Sequence, residues 1–305
     1  MTKHMYIGFD IGGTNVRYAL SSNLRAPIER CFCNTFIKTG EPYTEIEENI
    51  CKVIEQCNSV DGIAISLAAN IERQSGTIKT WANNPSWNGY KFVKHLKNRF
   101  DVPIVVEDDA NCGALGEFYE LSCLNNSMVY ITIGTGIGCG LIINGELYVG
   151  DNGMAGELGH IALMHEDEQL LCGCGQLGCL QSLISGRSLL ERYNSNSNHN
   201  IASVHEIAER SLYGDNVAQY ILYQFKGRLI NVIYNLAMIL DISTFVIGGG
   251  VGTINNELFF EIEESVNRKL KRFKKIVRMY NSKYRDYSGV KGAFYLLNNY
   301  IETNS

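Results

Sequence analysis

Three glycine clusters, each directly after an apolar run typical of a strand, are the first residues here that could do chemistry. Glycines at such turns let backbone N–H groups approach an anion closely, and a threonine hydroxyl adds a donor. No cluster has the Gly-Lys-Ser/Thr ending of a P-loop, so phosphate-binding turns of another kind are predicted, with ordinary hairpins as the alternative. The positions are Asp10, Gly12, Gly13 and Thr14; Gly134, Thr135 and Gly136; and Gly248, Gly249 and Gly250.

Three consecutive carboxylates, Glu107, Asp108 and Asp109, stand at the end of a predicted strand and lead into a predicted helix. Carboxylates so close together repel one another unless solvent or a ligand relieves them. A carboxylate at a strand end is suited to accept the proton of a substrate hydroxyl as a general base. The alternative is an acidic helix start, which the helix dipole favours.

Three of the ten cysteines, Cys172, Cys174 and Cys179, crowd into one short segment. A tetrahedral zinc site needs four ligands, and His160 and His165 are the two candidates for the fourth. A disulfide is the alternative, although a reducing compartment disfavours it. Glu157 lies three residues before His160 and adds a carboxylate beside the cluster.

Apolar periodicity places these motifs in two blocks that each begin with strands around a glycine turn. This order predicts two α/β lobes with a cleft between them and a boundary near residues 115–122. The predicted strands are 5–9, 16–20, 29–36, 62–67, 103–106, 128–133, 139–143 and 244–247. The predicted helices are 43–57, 90–100, 110–121 and about 215–240.

Composition excludes several classes of partner. The chain has 305 residues, with 27 Lys and Arg against 32 Asp and Glu, and a formal net charge of −5. This balance argues against nucleic acid as a partner, and the basic run 268–278 is interpreted as a solvated helix end. The apolar stretch 229–240 is too short for a membrane span, which needs about 20 residues. A strand that begins at Met5 leaves no room for a signal peptide, so a cytoplasmic protein is predicted.

Taken together, the motifs resemble those of the ROK family of bacterial sugar kinases and repressors, in the actin-like ATPase superfamily. The resemblance covers residues 5–300 in the family's order. It rests on four matches: 10–14 to the first phosphate motif, 134–138 to the second, 248–250 to the adenosine motif, and 157–160 with 172–179 to the zinc signature.

The resemblance implies an α/β, two-lobed actin-like ATPase (ribonuclease H-like) fold with an interlobe cleft. One lobe would comprise residues 1–118 and a C-terminal helix at about 289–305. The larger lobe, residues 119–288, would carry the zinc-binding loop.

The resemblance also implies roles for individual residues. Asp109 matches the catalytic base, and the ten residues of the glycine clusters match the site for Mg-ATP. His160, Cys172, Cys174 and Cys179 match the ligands of a structural Zn²⁺. The matched sugar contacts are Asn83, Asp108, Asp109, Glu157, His160 and Gln181. The sequence departs from the family pattern in two places: Gln181 replaces a glutamate, and Ala68-Ala69 replaces Pro-Gly.

The implied activity is ATP-dependent phosphorylation of a hexose, on the 6-hydroxyl. Residues 286–293 are similar to a segment of D-allose kinases, which favours D-allose over glucose or another hexose. A sugar-responsive regulator is the alternative, disfavoured because nine residues before Asp10 cannot hold a helix-turn-helix. Polyphosphate as donor stays open. The expected partners are hexose, ATP and a second copy in a homodimer, without nucleic acid or membrane.

Overall fold

A computed structural model gives the structure of residues 4–12, 16–26, 28, 31–34, 43–57, 59–81, 84–121, 126–163, 170–254 and 256–304. The strands are β1 (Tyr6–Ile11), β2 (Val16–Ser21), β3 (Cys31–Asn34), β4 (Gly62–Leu67), β5 (Asn70–Glu72), β6 (Thr77–Thr80), β7 (Ile104–Asp108), β8 (Met128–Ile133), β9 (Ile137–Ile143), β10 (Glu146–Tyr148), β11 (Thr244–Gly248) and β12 (Arg278–Asn281). The helices are α1 (Tyr43–Glu55), α2 (Phe92–Arg99), α3 (Asp109–Glu120), α4 (Leu180–Ile184), α5 (Gly186–Asn196), α6 (Val204–Leu212), α7 (Asn216–Leu240), α8 (Asn256–Leu270) and α9 (Ser288–Asn304).

The predicted strands and helices are confirmed, with ends that shift by a few residues. The sequence pattern missed the β5–β6 hairpin, whose strands are too short to show clear alternation. It also missed β12, which begins at Arg278 inside the basic run. In the described part of the chain, no helix is both long and apolar enough to cross a membrane.

The chain forms two compact units. The first contains Met1–Ser122, Leu147–Ala155 and Asp286–Ser305, and the second contains Cys123–Glu146 and Gly156–Arg285. The short segment Leu147–Ala155, which the sequence analysis assigned to the larger lobe, therefore packs with the first unit.

The sheet of the first unit has the order β3-β2-β1-β4-β7. The pairs β1–β2 and β2–β3 are antiparallel, whereas β1–β4 and β4–β7 are parallel. Alternating residues of β4 face opposite sides. Ile63 and Ile65 pack with residues of α1 and α2, and Ala64 packs with residues of α9. Because β1, β4 and β7 run parallel to one another, their carboxyl ends share one edge of the sheet.

Helices α3 and α9 cross at close range because glycine lies at the contact. A Cβ at Gly116 would stand 2.5 Å from the Ser288 carbonyl oxygen, and a Cβ at Gly292 would overlap the Cys112 carbonyl. The buried Ser288 hydroxyl donates to Glu117 at 2.6 Å. This crossing fixes the start of α9 against the helix that begins with Asp109.

The sheet of the second unit has the order β10-β9-β8-β11-β12. Its β8–β9 pair is antiparallel, and β8–β11 and β11–β12 are parallel. The sequence of antiparallel and parallel neighbours thus repeats that of the first unit. Helix α7 buries the stripe Ile221, Phe225, Leu229 and Val232, spaced as one helix face requires.

Candidate functional site

The acidic run is divided between two structural roles. Asp108 ends β7 and is the N-cap of α3, because its Oδ1 accepts from the N–H groups of Ala110 at 3.0 Å and Asn111 at 3.2 Å. Capping of this kind satisfies donors that the first helical turn leaves unpaired. Asp109 is the first residue of the helix, half-buried, where the helix dipole favours a negative charge. The acidic helix start and the strand-end carboxylate are therefore one feature.

Asp10 lies on the same sheet edge, near the end of β1. Its Oδ1 accepts a hydrogen bond of 2.6 Å from the Ser66 hydroxyl on the neighbouring parallel strand. A Cβ at Gly289 would lie 2.5 Å from this carboxylate oxygen, so only glycine allows the first turn of α9 so close to Asp10. The sequence analysis gave neither Ser66 nor Gly289 a role beside Asp10, although Gly289 lies in the segment 286–293.

A buried thiol shows how closely the carboxylates of the first unit gather. Burial raises the pKa of Cys112 well above its usual range, and the charges of Glu107, Asp108, Asp10 and Asp109 raise it further. The structure thus brings together the predicted base Asp109 with Asp108 and Asp10. Gly12 follows β1, whereas Gly13, Thr14 and Asn83 lie outside the described residues.

The turn Gly134–Gly138 joins β8 to β9 in the second unit. The Gly134 N–H donates to the Gly136 carbonyl at 2.9 Å, and the Gly134 carbonyl accepts from Gly186 N–H at 2.8 Å. Thr135 is exposed at its tip. A Cβ at Gly134 would meet nothing within 4 Å, so the space beside this backbone is open.

Gln181 supports that turn from the first turn of α4. Its Oε1 accepts from the Ile137 N–H at 3.0 Å. The same oxygen would lie 2.7 Å from a Cβ at Gly136 and 3.3 Å from a Cβ at Gly159. In this structure, Gln181 therefore holds the glycine turn, a role that sequence reasoning did not assign to it.

The third glycine cluster lies beside the second. β11 runs parallel to β8 with Gly248 opposite Thr132, so both turns leave the same edge of the sheet. Gly249 has φ +77°, and a Cβ there would stand 2.5 Å from the Ile133 carbonyl oxygen. Only glycine combines this left-handed backbone with so close an approach.

A polar cavity of about 320 Å³ opens at this cluster, and its volume lies in the range of small-molecule pockets. Its lining includes backbone groups of glycine and polar side chains from the end of β12. The lining residues are Ile247, Gly248, Gly249, Gly252, Thr253, Ile254, Asn281, Ser282 and Arg285.

The cysteine cluster has the spacing of a tetrahedral metal site. One ligand atom from each of His160, Cys172, Cys174 and Cys179 lies within 4.8 Å of all the others. Cys174 Sγ and Cys179 Sγ are 3.7 Å apart, and Cys172 Sγ is 3.7 Å from His160 Nδ1. Sulfurs about 2.3 Å from a tetrahedral zinc ion would be separated by nearly this distance, whereas a disulfide requires about 2.05 Å. His165 lies outside the described residues.

The thiols of this cluster differ in acidity. Hydrogen bonding from the Gln176 backbone lowers the pKa of Cys174. Burial, followed by hydrogen bonds with the neighbouring thiols, raises the pKa of Cys179 to about 12. Thiols so close together cannot all ionise without a compensating charge, and a divalent cation supplies one.

His160 has two neighbours, one at each ring nitrogen. Nδ1 faces Cys172, and Nε2 lies 3.9 Å from the Glu157 carboxylate. A histidine that binds a metal through one nitrogen is commonly oriented by a carboxylate at the other. A Cβ at Gly159 would lie 2.5 Å from the Ile137 carbonyl, so the turn that carries His160 packs directly on the start of β9.

Comparison with known proteins identifies the family of the chain. The family model for the ROK family matches residues 6–300. The chain belongs to the ROK family. Among curated relatives, the N-acetyl-D-glucosamine kinase of Yersinia enterocolitica is 29% identical over 308 residues, covering 96% of this chain and 99% of the relative.

Solved structures of ROK proteins have the same fold. A ROK hexokinase from Thermus thermophilus superposes with a TM-score of 0.82 at 23% identity, covering 98% of this chain and 99% of that chain. A ROK family glucokinase from Streptomyces griseus, in complex with glucose and AMPPNP, gives 0.79 at 26% identity, covering 97% and 99%. The actin-like ATPase fold implied by the motifs is therefore confirmed.

Proposed function

We propose that this ATP-dependent sugar kinase transfers the γ-phosphoryl group of ATP to the 6-hydroxyl of a hexose, with Asp109 as general base. The observation that carries the proposal is the placement of Asp109 at the first position of α3, beside Asp108 and near Asp10. In this step Asp109 accepts the hydroxyl proton while the oxygen attacks phosphorus and the bond to ADP breaks. Phosphoryl transfer of this kind depends mainly on positioning and charge neutralisation.

The glycine turns of the second unit supply the groups for a nucleotide. Open backbone at Gly134 and exposed Thr135 suit phosphate oxygens, and the cavity at Gly248–Gly250 suits the nucleoside. ATP would supply the phosphoryl group, and a Mg²⁺ ion bound with it would neutralise charge on the phosphate oxygens. The donor set near Asp10, a carboxylate and the Ser66 hydroxyl, has the oxygen chemistry that Mg²⁺ prefers.

The cysteine cluster is proposed to hold a structural Zn²⁺ through His160, Cys172, Cys174 and Cys179. The fit rests on the 3.7 Å separations and on the three-sulfur, one-nitrogen donor set. A site with four protein ligands leaves no position for a reacting water. The ion would therefore orient His160, and through it the turn that begins at Glu157.

N-acetyl-D-glucosamine is the proposed acceptor, in place of D-allose. The relatives named for that activity match 96% of this chain. The segment that favoured D-allose instead packs the interior of the first unit, where Gly289 approaches Asp10 and Gly292 approaches Cys112. Helix packing therefore accounts for the two glycines of this segment.

A panel assay tests the proposal. ADP release is followed with ATP and each of N-acetyl-D-glucosamine, glucose, D-allose, mannose, fructose and N-acetylmannosamine, and the product is located by phosphorus NMR. The highest kcat/KM with N-acetyl-D-glucosamine, phosphorylated at the 6-position, is expected. Sugar binding without ADP release would favour the regulator instead. Polyphosphate in place of ATP forms a second arm, and we expect no product from it.

A homodimer is proposed through the second unit. Tyr220 and Tyr223 are exposed on α7, and Leu212 and Tyr213 are exposed at the end of the neighbouring helix α6. Exposed tyrosines of this kind are enriched at protein interfaces. Light scattering after gel filtration should give twice the chain mass of 34.1 kDa, and Tyr223→Glu should lower it. An unchanged monomer mass in the native protein would contradict the proposal.

A further inference from the structure

An arginine on the β5–β6 hairpin makes a two-pronged contact with a buried carboxylate. Arg73 Nε and Nη2 each donate to Glu107 at 2.6 Å, one to each carboxylate oxygen. The Glu107 side chain is only 4% exposed and that of Arg73 is 28% exposed. Bidentate pairs of this geometry are among the stronger hydrogen-bonded contacts in proteins and fix orientation as well as distance.

Glu107 also holds the first turn of α3. Its Oε1 accepts from the Asp108 N–H at 2.9 Å and from the Asn111 side-chain amide at 3.0 Å. Asp108 and Asn111 flank Asp109 in the chain. The buried carboxylate therefore stands between Arg73 and the backbone that carries the proposed base.

Arg73 has a third contact, with the segment Leu147–Ala155 of the same unit. Its Nη1 donates to the Gly153 carbonyl oxygen at 3.2 Å. Gly153 has φ +73°, and a Cβ at this position would overlap Nη1. Glycine at 153 thus permits the contact, and the segment it anchors runs directly into Gly156 and Glu157.

We propose that Arg73 is a positioning residue for the phosphoryl transfer, acting through Glu107 on Asp109, with its contact to Gly153 holding the guanidinium in place. The proposal rests on the assignment of Asp109 as base. Arg73 touches neither substrate in this account. Its function is to set the position of α3's first turn and to compensate the charge of Glu107 close to the base.

If Arg73 compensates the charge of Glu107, its removal should change the pH dependence of kcat, which the loss of a purely structural contact would not do. The carboxylates Glu107, Asp108, Asp10 and Asp109 all act on the Cys112 thiol. Arg73 interacts with Glu107 and Asp108, the two carboxylates that precede Asp109 in the chain. Removing Arg73 leaves an uncompensated negative charge, which disfavours ionisation of a neighbouring carboxyl. Neutralising Glu107 has the opposite effect. The acid limb of the kcat–pH profile should therefore move in opposite directions in the two single variants.

The experiment compares Arg73→Met, Glu107→Gln and the double variant. Arg73→Met is expected to lower kcat by roughly 10–100-fold, because small misplacements of a reacting group are costly. The acid limb of its kcat–pH profile should move to higher pH by about half a pH unit or more, and that of Glu107→Gln should move to lower pH. In the double variant, the acid limb should lie close to its wild-type pH. Circular dichroism and melting temperature select folded variants, and Arg73→Lys replaces Arg73→Met if the latter fails to fold. The lysine variant should lose kcat without a shift of the limb.

Arg99→Met is the matched control, since Arg99 makes a comparable pair of contacts with Glu48 and Glu55 on α1. It should leave the acid limb and kcat at wild-type values. Limbs that do not move in Arg73→Met and Glu107→Gln, or an equal loss of kcat in Arg99→Met, would overturn the inference. Asp109→Asn separates the two hypotheses. If that variant retains activity, the base assignment fails; if only the Arg73 variants behave like the control, Arg73 alone loses its role.

Discussion

The two units of the chain present chemistry on sheets of the same topology, but they hold it in different ways. In the first unit, carboxylates at strand ends are fixed by side chains: Ser66 on Asp10 and Arg73 on Glu107. In the second, glycine backbone packs against backbone in the turns, as where a Cβ at Gly249 would stand 2.5 Å from the Ile133 carbonyl oxygen, and the Gln181 side chain adds one hydrogen bond to Ile137.

Substitutions in the two units should therefore have different effects. A carboxylate changed to an amide keeps its shape, so the first unit should lose rate while retaining its fold and its ligands. A glycine that gains a Cβ must displace backbone, so the second unit should lose affinity or stability first. Under the proposed function, the first unit carries out the chemistry and the second unit binds the nucleotide.

Of the substitutions considered, Asp109→Asn in the first unit should cause the largest loss of kcat. The amide preserves the size of the side chain but accepts a proton poorly. We expect kcat to fall by roughly 10²–10⁴-fold, with sugar and ATP dissociation constants within about threefold of wild type. Steady-state kinetics and calorimetric titration measure both. A variant that keeps more than a tenth of kcat would refute the assignment.

Loss of the proposed zinc site should have the next largest effect, in the second unit. Cys174→Ala removes one of four ligands, and activity should fall by roughly 10–100-fold together with the zinc content. Elemental analysis should find about one zinc per chain in the native protein. Cys57→Ala, which removes a thiol two residues after the end of α1 in the first unit, is the control and should retain both. Full activity in a zinc-free protein would contradict this account.

A methyl group at Gly249 tests the backbone contacts directly. Gly249→Ala forces an alanine to φ +77° and against the Ile133 carbonyl, a strain of about 1–3 kcal/mol. The turn should move to relieve this strain. KM for ATP should therefore rise about tenfold, while kcat stays within about threefold of wild type. Gly227→Ala, inside α7 with nothing within 4 Å of the new Cβ, should leave KM unchanged. A wild-type KM for ATP in Gly249→Ala would show that this turn does not bind the nucleotide.

The smallest effect is expected at Gln181. Gln181→Glu retains an oxygen that can accept from Ile137, so kcat/KM should stay within about threefold. Gln181→Leu leaves that N–H unpaired at a cost of about 1–3 kcal/mol, and kcat/KM should fall about tenfold. Kinetics of the two variants side by side provide the measurement. Equal values would show that the hydrogen bond has no influence on the turn.

Local patterns in the sequence were enough to predict most elements and several site residues. The glycine turns, the acidic run ending at Asp109 and the cysteine cluster each lie within a short segment, so their spacing is visible directly. Helix α7 was predicted because its buried stripe repeats at helical spacing over many turns. Family membership, fold and kinase class follow from the order of such segments.

Contacts between distant segments could not be predicted in the same way. Ser66 reaches Asp10 across 56 residues, and Arg73 reaches Glu107 across 34. Gly289 approaches Asp10 from the C-terminal helix, where one glycine among many carries no visible signal. Parallel pairing of β1 with β4 creates the first of these contacts, and the packing of the β5–β6 hairpin and of α9 creates the others. A single sequence does not specify which of its elements pair or pack.

One measurement tests the division between the units most directly: single-turnover phosphoryl transfer with the enzyme saturated by both ATP and the sugar. Saturation removes differences in affinity, so only the rate of the chemical step remains. The account predicts that Gly249→Ala transfers within about threefold of wild type, whereas Asp109→Asn is slower by at least about 10²-fold. Comparable rates for Asp109→Asn and wild type, or an equal loss in both variants, would contradict it.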